Sequence, residues 1–186
     1  MDRSNHYEKS FEAYLLHHKI CHVGVDEQRR SALGGQPVKS LDFILYCDQG
    51  ARFVVDIKGR KFPSGPSDKP RRVWERWATQ EDIEGLDLWA EMSGPGYQGL
   101  LVFLYDLDDS VALPEDTEDL WSFQGKRYLV RALRCADYRK HLKIRSPSWG
   151  TVDIPNSAFK ELVRPLRHFT HGAPEQPDFD DPWWES

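Results

Sequence analysis

The chain has 186 residues, of which 39% are hydrophobic and 12% aromatic, and its formal net charge is −5. This length suits one domain with a tail, and this share of apolar residues excludes a fully disordered chain. No apolar run reaches the roughly 20 residues that span a bilayer, and residues 1–6 are polar without a signal-peptide core behind them. We therefore expect a cytoplasmic protein without a membrane partner.

The negative charge is concentrated at the C-terminal end of the sequence. Residues 172–186 contain five acidic residues and no Lys or Arg, which leaves 25 basic and 25 acidic residues in 1–171. We expect a single domain over 1–171 and a flexible acidic tail over 172–186. A neutral domain permits a local basic face. The odd, scattered set of cysteines predicts buried thiols rather than a disulfide framework: Cys21, Cys47 and Cys135.

The first predicted elements are a helix and three strands. A helix is predicted over 5–19 because apolar side chains recur there at helical spacing: Tyr7, Phe11, Tyr14 and Leu15. A short strand is predicted over 20–28. Two segments rich in β-branched and aromatic residues, 40–47 and 51–58, predict a hairpin. The loop between them suits a three-residue turn with Gly50 in the left-handed region.

Beyond the hairpin, the sequence predicts a basic loop over 59–73 and then a second helix over 79–92. Thr79 can cap this helix, with Asp82 in the N3 position. The most apolar stretch, 99–107, predicts a buried central strand. The remaining predicted elements are a strand over 127–134, a short helix over 136–144 and a helical segment over 155–168 that contains Pro165.

The predicted hairpin gathers charged residues that suit a metal site. If its loop is 48–50, opposed residues have numbers that add to 98, so Asp42 faces Asp56 and Lys58 shares their face. A register slip of one residue would separate the two acids. Opposed like charges destabilise a sheet unless a divalent cation such as Mg²⁺ or Mn²⁺ lies between them. The first helix adds Glu8 and Glu12, which lie on one face, and either could complete the ion's shell.

This order of a helix glutamate, Asp42 and then Asp56-Ile57-Lys58 resembles the PD-(D/E)xK nuclease superfamily, which includes restriction endonucleases and archaeal Holliday junction resolvases. The proline of that motif is replaced here by Leu41. The opening segment His6-Tyr7-Glu8-Lys9-Ser10-Phe11-Glu12 resembles the bacterial family named for its HYExAFE signature, with Ser10 in place of the alanine. The resemblance to the nuclease core covers about residues 6–107.

The resemblance implies a restriction endonuclease-like core, in which a mixed central sheet is flanked by helices. The metal ligands that it implies are Asp42, Asp56, the carbonyl of Ile57 and either Glu8 or Glu12. Glu8 fits the usual helix position slightly better than Glu12. Lys58 would be catalytic. The implied partner is DNA, either duplex or branched. Members of the superfamily often act as dimers, so a homodimer is expected.

Other residues are candidates for contact with DNA. The predicted loop 59–73 starts directly after Lys58, so its basic side chains could hold phosphates beside the site. These side chains are Arg60, Lys61, Arg71 and Arg72. The alternative is a loop that only increases solubility. Gln98, at the start of the central strand, could position a water or the scissile phosphate. A second basic stretch, 126–145, would form a phosphate track if its side chains faced the same side. Trp74, Trp77 and Trp89 are assigned to packing rather than to base stacking.

Three functions follow as alternatives. The leading hypothesis is a Mg²⁺- or Mn²⁺-dependent endonuclease that hydrolyses DNA phosphodiester bonds. The alternative is a catalytically inactive nuclease-like module that binds nucleic acid or a protein partner, which the neutral domain and the acidic tail favour. The third is an enzyme that acts on another phosphate substrate.

Overall fold

Residues 3–25, 32–33, 36–37, 39–47, 50–63 and 73–171 are described by the computed structural model of the chain. The helices are α1 (Arg3–His17), α2 (Gln80–Ser93), α3 (Cys135–Lys140), α4 (Asn156–Leu162) and α5 (Arg167–Thr170). The strands are β1 (Cys21–Gly24), β2 (Ala32–Leu33), β3 (Gln36–Pro37), β4 (Phe43–Tyr46), β5 (Arg52–Lys61), β6 (Ala78–Thr79), β7 (Tyr97–Leu107), β8 (Leu120–Phe123), β9 (Lys126–Arg134), β10 (Lys143–Ser146), β11 (Thr151–Asp153) and β12 (Arg164–Pro165).

Within these ranges the central sheet has seven strands in the order β1-β4-β5-β7-β9-β12, with β8 also paired to β9. The strands β5 and β7 run parallel, and their neighbours on either side run antiparallel to them. A parallel pair needs a crossover connection, and α2 lies between β5 and β7 in the chain. The strands β10, β11 and β6 form a small second sheet. The expected mixed central sheet with flanking helices is confirmed.

Helices cover both faces of the central sheet, because side chains alternate between the faces along each strand. On one face, Phe11 and Tyr14 of α1 pack with Phe53 and Val55 of β5. On the other face, α2 packs with Val54, Leu101 and Phe103 through Ile83 and Leu86. We call these the α1 face and the α2 face. Even-numbered residues of β5 therefore lie on the α2 face.

Several local predictions are confirmed by the structure. The hairpin pairs Phe43 with Val55 and Tyr46 with Arg52, the predicted register in which paired numbers add to 98. Gly50 has a φ of 81°, in the left-handed region. The strand β5 ends three residues later than predicted, so residues 59–61 continue the ladder instead of opening the basic loop.

The C-terminal predictions need correction. The predicted helix over 155–168 is divided into α4, β12 and α5, because Pro165 lacks a backbone N–H and the residue before a proline favours extended backbone. The predicted helix over 136–144 ends at Lys140, and β10 starts at Lys143. The cysteines are not all buried: Cys135 is buried, Cys47 is half-buried, and Cys21 is exposed on the edge strand β1. None of the described helices is long and apolar enough to cross a membrane. The acidic tail 172–186 lies outside the described residues.

Candidate functional site

Three charged residues of β5 point to the α2 face of the sheet. Asp56, Lys58 and Arg60 alternate with the residues that pack under α1, and Val54 precedes them on the same face. Asp56 has only 4% of its surface exposed and Lys58 only 12% of its side chain. The Asp-x-Lys spacing therefore places a carboxylate and an ammonium together in a largely buried position.

Asp42 lies at the open end of the hairpin, one residue before β4. Its backbone N–H donates to the carbonyl of Val55 at 2.9 Å, and its Oδ2 accepts from the backbone N–H of Ile57 at 2.5 Å. These bonds fix the buried Asp42 carboxylate beside the backbone that joins Asp56 to Lys58. The predicted pairing of Asp42 with Asp56 stays a prediction, because the ladder of β4 with β5 ends at Phe43 and Val55 and the Asp42 N–H bonds to Val55.

The Lys58 ammonium lies between two buried carboxylates. Its Nζ is 2.5 Å from Asp56 Oδ2 and 2.7 Å from Asp82 Oδ2. Asp82 belongs to the first turn of α2, and its other oxygen lies 3.4 Å from the Nζ of Lys39. A buried ion pair is stabilising only when both charges have close partners, and here one ammonium bridges the strand and the helix.

Asp82 is held in place by the predicted capping box. Its Oδ2 accepts from the Thr79 backbone N–H at 2.8 Å, and its own N–H donates to Thr79 Oγ1 at 3.1 Å. The sequence signal for the cap was correct, but it assigned Asp82 no place in the site. The capping spacing alone could not reveal this, because the contact with Lys58 depends on how α2 docks on the sheet.

The two carboxylates that contact Lys58 have pKa values shifted in opposite directions. Burial raises the pKa of Asp56 to about 6, and the nearby Lys58 ammonium offsets only part of that effect. Burial also acts to raise the pKa of Asp82, but the Lys58 ammonium and the hydrogen bonds from Thr79 outweigh it, so this pKa is lowered. Asp82 is thus ionised at neutral pH, while Asp56 changes charge near pH 6.

The hairpin end carries carboxylate and carbonyl oxygens, the type of ligand that hard divalent cations prefer. The N–H and C=O of a strand residue point to the same side, so the Ile57 carbonyl faces the side on which Asp42 lies. Asp56 Oδ2 is buried and accepts no hydrogen bond of good geometry from the described residues, although Lys58 is close by. Mg²⁺ is commonly bound by one or two carboxylates together with substrate phosphates. Among the described residues, no group of three or more His, Cys, Asp or Glu is placed to hold a metal ion.

The helix glutamates belong to the α1 face, opposite Asp56. Glu8 is half-buried and Glu12 is exposed. The first turns of α1 nevertheless reach the level of the site, because the Tyr7 ring packs on Gly59, the residue after Lys58. The role of Glu8 or Glu12 as a metal ligand stays a prediction.

Of the predicted DNA contacts, the structure brings Arg60 close to the site and turns two others away. Arg60 follows Lys58 on the α2 face, and its guanidinium lies 4.0 Å from the centroid of the Trp77 ring. Lys61 lies on the α1 face, where its Nζ is 2.5 Å from Asp106. Gln98 is exposed on the α1 face of β7, level with Phe53 and about 10 Å along the sheet from Asp56. Arg71 and Arg72 lie outside the described residues.

The tryptophans assigned to packing are half-buried. Trp74 packs against Phe62 and Tyr105, and the Trp89 indole N–H donates to the carbonyl of Lys39. The Trp77 ring packs against the Arg60 guanidinium beside the site, which agrees with a packing role for Trp77.

Comparison with known proteins gives no further identification. No protein-family model matches the sequence, and no curated protein matches it.

Proposed function

We propose that the protein is a divalent-metal-dependent endonuclease that hydrolyses DNA phosphodiester bonds. The observation that supports this proposal is that Asp42, which accepts from the Ile57 N–H, and the Asp56–Lys58 ion pair both lie at the open end of one hairpin. The sheet around them has the mixed character expected of a restriction endonuclease-like core. We include that core, and membership of the HYExAFE family, in the proposal.

The chain's own residues have distinct roles in this proposal. Asp42, Asp56 and the Ile57 carbonyl would hold the cation, with Glu8 or Glu12 as a further ligand. When bound, Mg²⁺ or Mn²⁺ supplies positive charge to the phosphate and lowers the pKa of a bound water. Lys58 has three N–H donors, and two face carboxylates, so a third is available to a phosphate oxygen on which negative charge develops. Asp82 fixes the direction of that ammonium.

A cleavage assay tests the proposal directly. Supercoiled plasmid and branched, duplex and single-stranded oligonucleotides are incubated with the full chain in Mn²⁺, in Mg²⁺ and in EDTA. We expect metal-dependent cleavage that Asp56→Ala and Lys58→Met abolish and that Asp116→Ala, at an exposed position outside the site, leaves unchanged. Equal cleavage by Asp56→Ala would identify a contaminating nuclease and reject the proposal.

Calorimetry tests the metal site separately from the reaction. We expect Mn²⁺ binding by the wild-type protein and its loss in Asp42→Ala and Asp56→Ala. Because Mg²⁺ and Mn²⁺ sites can use a substrate phosphate as a ligand, the titration is repeated with uncleaved DNA present. Failure to bind in both titrations contradicts the metal-dependent reaction.

A second candidate function is a catalytically inactive module that binds DNA. It is favoured by the contacts of Lys58, whose charge is already compensated by Asp56 and Asp82, and by the lack of a third described carboxylate beside Asp56. DNA binding in EDTA without cleavage in either metal would support it. Hydrolysis of a free nucleotide with DNA left intact would instead favour an enzyme acting on another phosphate substrate. The homodimer stays a prediction for all of these functions.

A further inference from the structure

The small second sheet presents a basic and aromatic surface to solvent. Residues 138–152 contain no Asp or Glu. Lys143 and Arg145 of β10 are exposed, and Trp149 follows on a short 3₁₀ turn with 80% of its surface exposed. We call Lys143, Arg145 and Trp149 the β10 surface. Cations beside an exposed indole suit a ligand that carries both aromatic rings and negative charge.

Stacked side chains connect the β10 surface to the candidate site. The guanidinium of Arg145 lies 5.2 Å from the centroid of the Trp77 ring, and the guanidinium of Arg60 lies 4.0 Å from the same centroid. Arg60 follows Lys58 by two residues on β5, so both side chains lie on the α2 face. Arg60 and Arg145 therefore form a run of positive charge that joins the candidate site to the β10 surface.

The backbone also holds Trp149 close to the helix that carries Asp82. The carbonyl of Gly150, the next residue, accepts a hydrogen bond from the Gln80 N–H at 2.8 Å. Thr151 then pairs with Thr79, the residue that caps α2. Trp149 thus stands next to the first turn of α2, and the same turn places Asp82 against Lys58.

We propose that the β10 surface binds an unpaired DNA strand, with a base stacked on Trp149 and phosphates at Lys143 and Arg145. An exposed indole offers a stacking platform to any unpaired base, while bases within a duplex are already stacked on their neighbours. The positive run through Arg60 then leads the backbone of that strand toward Lys58. This inference deepens the proposed nuclease function, because it names single-stranded DNA, or a duplex with an unpaired segment, as the substrate class.

Binding of a fluorescently labelled oligo(dT) to the full chain in EDTA, followed by anisotropy, tests this inference. Trp149→Ala is expected to weaken binding about tenfold, as loss of one stacked base typically does. The matched control is Leu16→Ala, which removes a side chain 66% exposed on α1, across the sheet. The double variant Lys143→Glu/Arg145→Glu is expected to weaken binding and to reduce its dependence on salt, whereas Lys9→Glu on α1 changes neither.

The outcomes separate this inference from the nuclease proposal, because binding in EDTA does not depend on cleavage. Weaker binding by Trp149→Ala than by Leu16→Ala supports the β10 surface even if no metal promotes cleavage. Unchanged binding by both Trp149→Ala and the double charge variant overturns it, even if the Asp56-dependent nuclease is established. Tighter binding of a blunt duplex than of oligo(dT) also overturns it.

Discussion

The Lys58 ammonium lies 2.7 Å from Asp82 Oδ2, and this contact joins the candidate site on β5 to the first turn of α2. Both groups are largely buried, with 12% and 2% of their side chains exposed. The N-terminal end of a helix favours negative charge, so α2 itself stabilises the carboxylate that holds Lys58. The position of the candidate catalytic lysine therefore depends on a residue outside the Asp-x-Lys motif.

Removal of the Asp82 carboxylate is expected to destabilise the fold. Asp82→Ala leaves Lys58 with one carboxylate partner and breaks the capping box, so we expect the free energy of unfolding to fall by about 3 kcal/mol. Asp82→Asn keeps an oxygen acceptor for the Thr79 N–H and is expected to cost less. Urea unfolding measures both, with Glu91→Gln, exposed near the other end of α2, as the control. Equal stability of Asp82→Ala and the wild type contradicts this role.

Asp56 is expected to make stability depend on pH. An unfolded aspartate loses its proton near pH 3.9, whereas folded Asp56 keeps it to about pH 6. Between these values the folded chain binds more protons than the unfolded one, so the free energy of unfolding falls as pH rises and levels off above about pH 6. The neutral Asp56→Asn avoids this loss and is expected to be more stable than wild type at about pH 7.5, by up to about 3 kcal/mol.

Denaturant unfolding in EDTA at a series of pH values measures this effect. The advantage of Asp56→Asn is expected to shrink as pH falls and to vanish near pH 4. The control is Asp116→Asn, whose exposed side chain should leave the pH profile of the wild type unchanged. A constant difference between Asp56→Asn and the wild type at every pH is the result that contradicts the raised pKa.

Gly59 is expected to be required for the close approach of α1 to β5. A Cβ at this position would lie 2.2 Å from Cδ2 of Tyr7, so Gly59→Ala forces the ring or the helix to move. We expect a loss of about 2 kcal/mol, typical of overpacking. In a Tyr7→Ala background the same change should cost much less, because the obstructing ring is gone.

Thermal and urea unfolding of the two single variants and the double variant measure this coupling. The control is Gly24→Ala on β1, where the nearest atom to an added Cβ is 3.4 Å away, in the ring of Phe43. Additive effects of Gly59→Ala and Tyr7→Ala are the outcome that excludes a direct clash.

Asp119 is expected to be a structural carboxylate far from the candidate site. It is buried, and it accepts from the Tyr14 hydroxyl at 2.7 Å, from Arg167 Nε at 2.7 Å and from the Arg167 backbone N–H at 3.0 Å. Asp119→Ala removes all three bonds between α1, α5 and this loop, so we expect a loss of about 3–5 kcal/mol. Asn adopts left-handed backbone as readily as Asp, and Asp119 has a φ of 56°. Asp119→Asn therefore removes the negative charge without straining the backbone.

Urea unfolding compares these variants with Asp116→Ala, at an exposed position in the same loop. Cleavage or DNA binding measured under conditions where Asp119→Asn is folded should match the wild type, because the partners described for Asp119 are Tyr14, Val130 and Arg167, which lie outside the candidate site. A specific loss of activity in folded Asp119→Asn would reject the purely structural role.

The sequence was sufficient for the features that depend on neighbouring residues. The alternation of β-branched residues and the left-handed Gly50 predicted the register of the hairpin, and the structure has that register from Phe43 and Val55 to Tyr46 and Arg52. The spacing of Thr79 and Asp82 predicted the capping box. Turn geometry and helix caps involve residues a few positions apart, so their physical causes are visible in a short stretch of sequence.

Tertiary structure alone decided which of the candidate side chains meet. The sequence grouped Lys61 and Gln98 with Arg60. In the structure β5 extends to Lys61, and the alternation of its side chains places Lys61 on the α1 face. Alternation along β7 places Gln98 on the α1 face as well. The contact of Asp82 with Lys58 requires α2 to lie close to the sheet, and Gly99 permits this because an added Cβ would meet Leu86 at 3.1 Å. Local sequence fixes the pattern of an element, but the face that it buries and its neighbours depend on packing between residues far apart in the chain.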